Sequence, residues 1–95
     1  MEVRSLERIE AHMVVSCRVP AAPNSATILD ISAEGCRIKI ANGVLVTGST
    51  ILLELMQGFH AIGTVVWKKI DEAGIKFDEG IHPSLVEHVS NHWAN

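Results

Sequence analysis

Three things are scarce in this 95-residue chain, and each scarcity excludes a class of function. Cysteine occurs only twice. Cys17 and Cys36 are too few and too far apart for a disulfide framework or a zinc knuckle, so reduced thiols and a cytoplasmic setting are expected. Positive charge is also short, with 8 Lys and Arg against 11 Asp and Glu, and a net charge of −3 with neutral histidines. A general DNA or RNA binder carries a basic face, so neither nucleic acid is an expected partner. Long apolar runs are missing as well. None approaches the ~20 residues that span a bilayer, and the opening "MEVRSLERIE" mixes acids with bases and has no apolar stretch of a signal peptide. Membrane insertion is not expected.

What is present is apolar content, 47% of residues, enough for the core of one domain spanning 1–95. Most of it alternates. In "AHMVVSCRV" (11–19), Ala11, Met13, Val15, Cys17 and Val19 share one side, which predicts a strand with His12, Ser16 and Arg18 facing out. "PAAPN" (20–24) predicts a loop. "SATIL" (25–29) and "CRIKI" (36–40) are further strands, the latter with Cys36, Ile38 and Ile40 inward. "TILLELM" (50–56), "HAIGTVVWKK" (60–69) and "IKF" (75–77) complete the set, with "DEAG" (71–74) as a turn.

From Pro83 the period changes. Leu85, Val86, Val89 and Trp93 form one helical stripe over 83–93, with Pro83 suited to a first turn and Ser84 and Glu87 at capping-box spacing. About six short strands with frequent turns, then one helix, predict an all-β chain closed as an antiparallel barrel over 11–80. The helix packs on it through the stripe. Trp67 falls on the odd-numbered side of its strand with Ala61, Gly63 and Val65, which places it in the core or against the helix.

Two motifs stand apart from this framework. In "ILDISAEGCRIKI" (28–40), an acid, a hydroxyl and a glycine sit between two strands at D-x-S-x-x-G spacing. As a turn, Asp30 or Ser32 can hydrogen-bond the backbone two residues on, and Gly35 tolerates unusual backbone angles. As a binding edge, Asp30 at a strand end can accept two adjacent N–H groups, such as those of a guanine. Ser32 then adds a small donor–acceptor, and Gly35 admits close backbone approach. The spacing alone requires no particular ligand. The second motif is "RSLER" (4–8), where Arg4 and Arg8 precede the first strand. Guanidiniums four apart can share one side, pairing with phosphates or stacking on a base; Glu7 and Glu10 could equally neutralise them at the surface.

Other chemistry is thin. His88 and His92 are four apart on the predicted helix, but no third ligand is evident, and a metal site is not expected. No nucleophile–base constellation is recognisable and "QGFHAIG" is not a phosphate loop, so no catalytic residue is assigned and an enzyme is not expected.

R-x-x-x-R leading into the first strand, then D-x-S-x-x-G between the second and third, resembles the PilZ domain. The resemblance extends through "GTVVWKK" and "AGIKFDEGI" and so covers nearly the whole chain. It implies a six-stranded antiparallel β-barrel with a C-terminal α-helix that binds cyclic di-GMP, with no cofactor. Arg4 and Arg8 would contact phosphates and guanine, and Asp30, Ser32 and Gly35 would form the floor. Many members carry a further arginine where this chain has Val3, which implies one ligand molecule per chain. The resulting expectation is a non-enzymatic cytoplasmic receptor. Ligand would order a flexible segment, 1–10, creating a surface for an unidentified effector protein. The rival is a PilZ-like adaptor that works through protein contacts without nucleotide affinity.

Overall fold

Period-two alternation builds a wall with one apolar side, and six such strands close on themselves. The computed structural model describes residues 9–19, 22–40 and 45–92. The strands are β1 (Ile9–Val19), β2 (Ala22–Ile31), β3 (Gly35–Lys39), β4 (Thr50–Met56), β5 (Phe59–Lys69) and β6 (Glu72–Phe77), followed by helix α1 (Pro83–His92). They form a closed antiparallel barrel in the order β1-β2-β3-β6-β5-β4, with β4 returning to β1. Inside it lie Ile28, Ile31, Ile38, Ile51, Leu53, Val65 and Ile75, all fully buried. Each such side chain contributes about 1.5–3 kcal/mol by leaving water.

The β1–β4 seam is short, with only Cys17↔Leu53 and Arg18↔Leu52 in register. Helix α1 packs on β1 and β4 along this seam and buries Val86 and Val89. Pro83 opens the helix, but the N-terminal cap is not Ser84. Instead Nδ1 of His82 accepts the Ser84 backbone N–H at 3.1 Å, and the Leu85 N–H bonds the His82 carbonyl at 2.9 Å. The imidazole reaches the second helical N–H that a capping side chain must satisfy. Among the described residues no helix is long and apolar enough to cross a membrane.

Two expected connections differ. Strand β2 begins at Ala22, so most of "PAAPN" is strand, with Arg18↔Pro23 and Val19↔Ala22 in register. Proline's fixed φ is compatible with extended backbone near a strand end, and pairing with β1 outweighs its breaker tendency. Likewise β6 begins at Glu72, which leaves Ile70 and Asp71 as a two-residue turn. Gly74 is therefore a strand residue rather than a turn residue.

Candidate functional site

The site begins with two β-bulges. Along β2, register shifts between Ile28 and Asp30. Ile28 and Ile31 point inward while Leu29 and Asp30 both face outward. Along β5 the register shifts between Val65 and Trp67, so Val65 is buried while Val66 and Trp67 are both exposed. An extra residue re-aims every side chain after it, which is why bulges recur beside binding sites.

Pairing then lines up a row across the outer wall. Glu10 lies opposite Asp30, Asp30 opposite Arg37, Arg37 opposite Gly74 and Gly74 opposite Trp67. With strands about 4.8 Å apart, these five positions span roughly 19 Å. The Nε of Arg37 donates to Oδ2 of Asp30 at 3.0 Å, and an Nη of Arg37 donates to Oε1 of Glu72 at 3.0 Å. The Asp30 side chain keeps only 16% of its exposure, against 42% for Arg37. Hydrogen bonding to Asp30 raises the Arg37 pKa above its usual value; slight desolvation opposes this, and the charges of Asp30 and Glu72 add to it. Beside the row, Glu10, Ala11, His12, Leu29 and Arg37 line an open depression of about 240 Å³.

Trp67 is a correction to the sequence expectation. It is 40% exposed on the outer wall, and its indole lies across Gly74, where a Cβ would come within 2.0 Å of Nε1. Gly74 therefore exists to give the ring room. Strict alternation puts Trp67 inward; the bulge turns it out. Carbonyls and amides of the backbone fix the bulge, and no side-chain pattern announces it.

Ser32, Glu34 and Gly35 form the corner next to Asp30. The Ser32 backbone N–H donates to the Gly35 carbonyl at 2.8 Å, and the Ser32 hydroxyl accepts the Glu34 N–H at 3.2 Å. The hydroxyl also lies 3.4 Å from the Gly35 carbonyl, and Ser32 is buried. Ser32 thus fills its expected turn role, bonding the backbone two residues on, whereas Gly35 has no positive φ. The corner is braced from outside, since Phe77 N–H bonds the Glu34 carbonyl and Ile81 N–H the Ala33 carbonyl. At Gly35 a Cβ would stand 2.2 Å from the Ile75 carbonyl oxygen. The space left by the missing side chain is filled by strand β6, not held open for a ligand.

Of the five sequence-assigned residues, Asp30, Ser32 and Gly35 converge on this corner. Arg4 and Arg8 lie outside the described residues. Chain connectivity nonetheless leads to the corner, because Arg8 is bonded to Ile9, and Ile9 pairs with Ile31, the residue after Asp30. His88 is half-buried on α1, and no group of three metal-ligating side chains forms among the described residues. Cys17 and Cys36 are buried and form no disulfide among the described residues, and burial pushes the Cys17 thiol pKa up.

The PilZ domain matches residues 2–92. The chain belongs to the PilZ domain family. Its barrel is similar to the crystal structure of the Borreliella burgdorferi PlzA protein in complex with c-di-GMP, at 14% identity and a TM-score of 0.64. That match covers 96% of this chain and 41% of the PlzA chain, so this PilZ domain spans less than half of that protein. No curated protein gives a significant match. Six antiparallel strands, closed and followed by one helix, are the PilZ architecture. Arg37, Glu72, Gly74 and Trp67 are the residues of this PilZ domain's outer wall to which sequence reasoning gave no site role.

Proposed function

We propose that this PilZ domain is a receptor for cyclic di-GMP and that the ligand lies on the outer wall along the Asp30–Arg37–Trp67 row. PilZ domains are cyclic di-GMP receptors and not enzymes. The observation that carries the assignment to this surface is convergence: the strand entered from Arg8 starts beside the Asp30 corner. On this reading the leader that bears Arg4 and Arg8 reaches the corner that bears the oriented carboxylate.

Each group has a distinct task. The Asp30 carboxylate, held from one side by Arg37, accepts the N1–H and N2–H donors of a guanine. Arg4 and Arg8 pair with the two phosphates, and a guanidinium covers a base face. Ser32 and Gly35 maintain the tight corner that puts Asp30 at the rim. The half-exposed Trp67 indole offers a flat apolar face to a second base. Ligand fastens the segment before Ile9 across the corner, and the surface so created is recognised by an effector protein in the cytoplasm.

Isothermal titration calorimetry with cyclic di-GMP tests this on the wild type, Arg8→Ala and Asp30→Ala. Micromolar affinity corresponds to about −8 kcal/mol. Loss of one charged hydrogen-bond partner removes about 1.5–3 kcal/mol, a roughly ten- to hundredfold weakening. Equal heats from the three proteins would instead support the adaptor without nucleotide affinity.

A further inference from the structure

The turn between β5 and β6 has a residue that folding does not favour. Lys69 pairs with Glu72, leaving Ile70 and Asp71 as a two-residue hairpin loop. Ile70 has φ of 52°, the one non-glycine positive φ among the described residues, and it is 91% exposed. Positive φ at the first loop position belongs to turns that take glycine there. A β-branched side chain in that region is an outlier, because its Cβ substituents crowd the backbone. Ile70 therefore strains the turn and buries nothing in return. A strained residue with no packing role points to a contact outside the fold.

Its surroundings share the anomaly. Val66 and Val46 are also exposed large apolar residues. The loop carrying Val46 is tied to β5, with the Gly48 N–H bonded to the Val65 carbonyl and the Val65 N–H to the Ser49 carbonyl. Three apolar side chains thus lie toward one end of the barrel. Cations outnumber acids there. The acids next to the tip are answered, Asp71 by Lys39 at 3.8 Å and Glu72 by Arg37 at 3.0 Å. Lys68 and Lys69 form no ion pair among the described residues. In a chain of net charge −3, Lys68, opposite Ala73, and Lys69, opposite Glu72, flank the apolar apex from the two faces of the hairpin.

We propose that the β5–β6 hairpin tip docks on an anionic lipid surface, with Ile70 dipping into the acyl boundary and Lys68 and Lys69 resting among acidic headgroups. A convex, protruding apex favours this occupant, since a bilayer accepts an isolated apolar side chain without a shaped pocket. Lysines adjoining such an apex keep their charge at the headgroup level while their stems stay apolar. A single apolar apex gives weak and reversible attachment, so binding is sensitive to both lipid charge and salt. The proposal is independent of nucleotide binding.

Vesicle co-sedimentation of the ligand-free protein tests it, comparing phosphatidylcholine vesicles with vesicles containing phosphatidylglycerol. Wild-type protein partitions onto the anionic vesicles only, and high salt releases it. Ile70→Gly lowers the partition coefficient roughly tenfold, the effect of withdrawing one buried aliphatic side chain. It also raises the thermal midpoint, because glycine suits the turn, so weaker attachment cannot be ascribed to unfolding. Lys68→Glu and Lys69→Glu each weaken attachment at least roughly fivefold. Equal uptake of wild type and Ile70→Gly, or no uptake by anionic vesicles, overturns the proposal. A concentration-dependent dimer in sedimentation velocity that Ile70→Gly abolishes also overturns it, assigning the tip to a second copy of the chain.

Discussion

Arg37 holds Asp30 from the neighbouring strand, Nε to Oδ2 at 3.0 Å, while its other branch holds Glu72 at 3.0 Å. One guanidinium therefore links β2, β3 and β6 on the outer wall. The Arg37 end of the pair is half-exposed, so its direct value to stability is small, but its geometric value is larger. The carboxylate at the rim of the proposed site is aimed before any ligand arrives, which reduces the ordering that binding must supply.

Arg37→Gln separates these two roles. The urea midpoint should correspond to a change within about 1 kcal/mol, the range of exposed ion pairs. Cyclic di-GMP affinity should fall by more than that change in fold stability explains, though by less than in Asp30→Ala. Calorimetry beside urea denaturation checks both. Unchanged affinity in Arg37→Gln would show that Asp30 needs no support.

Gly35→Ala probes the corner from the folding side. Its Cβ would meet the Ile75 carbonyl oxygen at 2.2 Å, and backbone on a paired strand yields little. Destabilisation should reach about 1–3 kcal/mol or more, as for other forced overpacking, and appear as a lower urea midpoint. Gly58→Ala, where nothing lies within 4 Å of the added carbon, is the contrast: its cost arises from positive φ alone.

Gly74→Val removes the bed on which the Trp67 indole lies. The ring must swing away into water, so Trp67 emission should shift to longer wavelength. A Trp93→Phe background keeps the second tryptophan from masking the change. If Trp67 stacks on a base, cyclic di-GMP should quench its emission in the parent and much less in Gly74→Val.

Cys17 gives a pH prediction. Burial raises its thiol pKa, so the fold favours the neutral form over the thiolate. The unfolded chain loses that proton first, at about pH 8.5. The associated stability is therefore complete below that pH and is lost as pH rises through the higher folded value. Urea midpoints measured from neutral to about pH 10 should fall at the alkaline end, and Cys17→Ala should flatten that limb.

Much of the architecture was legible because strands with one buried side must alternate. Ala11, Val15, Cys17 and Val19 on β1, and Cys36, Ile38 and Ile40 on and just after β3, are buried as period two requires. The helical stripe places Val86 and Val89 against the barrel for the same reason at the other period. Where alternation breaks, at the bulges before Asp30 and Trp67, the pattern gave a wrong side for Trp67. A bulge is a property of two strands in register, and neither strand's composition specifies it.

The chain by itself determined the alternation, the order of the two motifs and the bond joining Arg8 to the first strand, all of which are local or covalent. Tertiary structure alone decided that Arg37 would orient Asp30, that Gly35 and Gly74 would yield their side-chain space to Ile75 and Trp67, and that Trp67 would face outward. Those relationships join residues up to about forty positions apart through cross-strand register. Register emerges only when the whole barrel closes, because closing it aligns every strand with both neighbours at once.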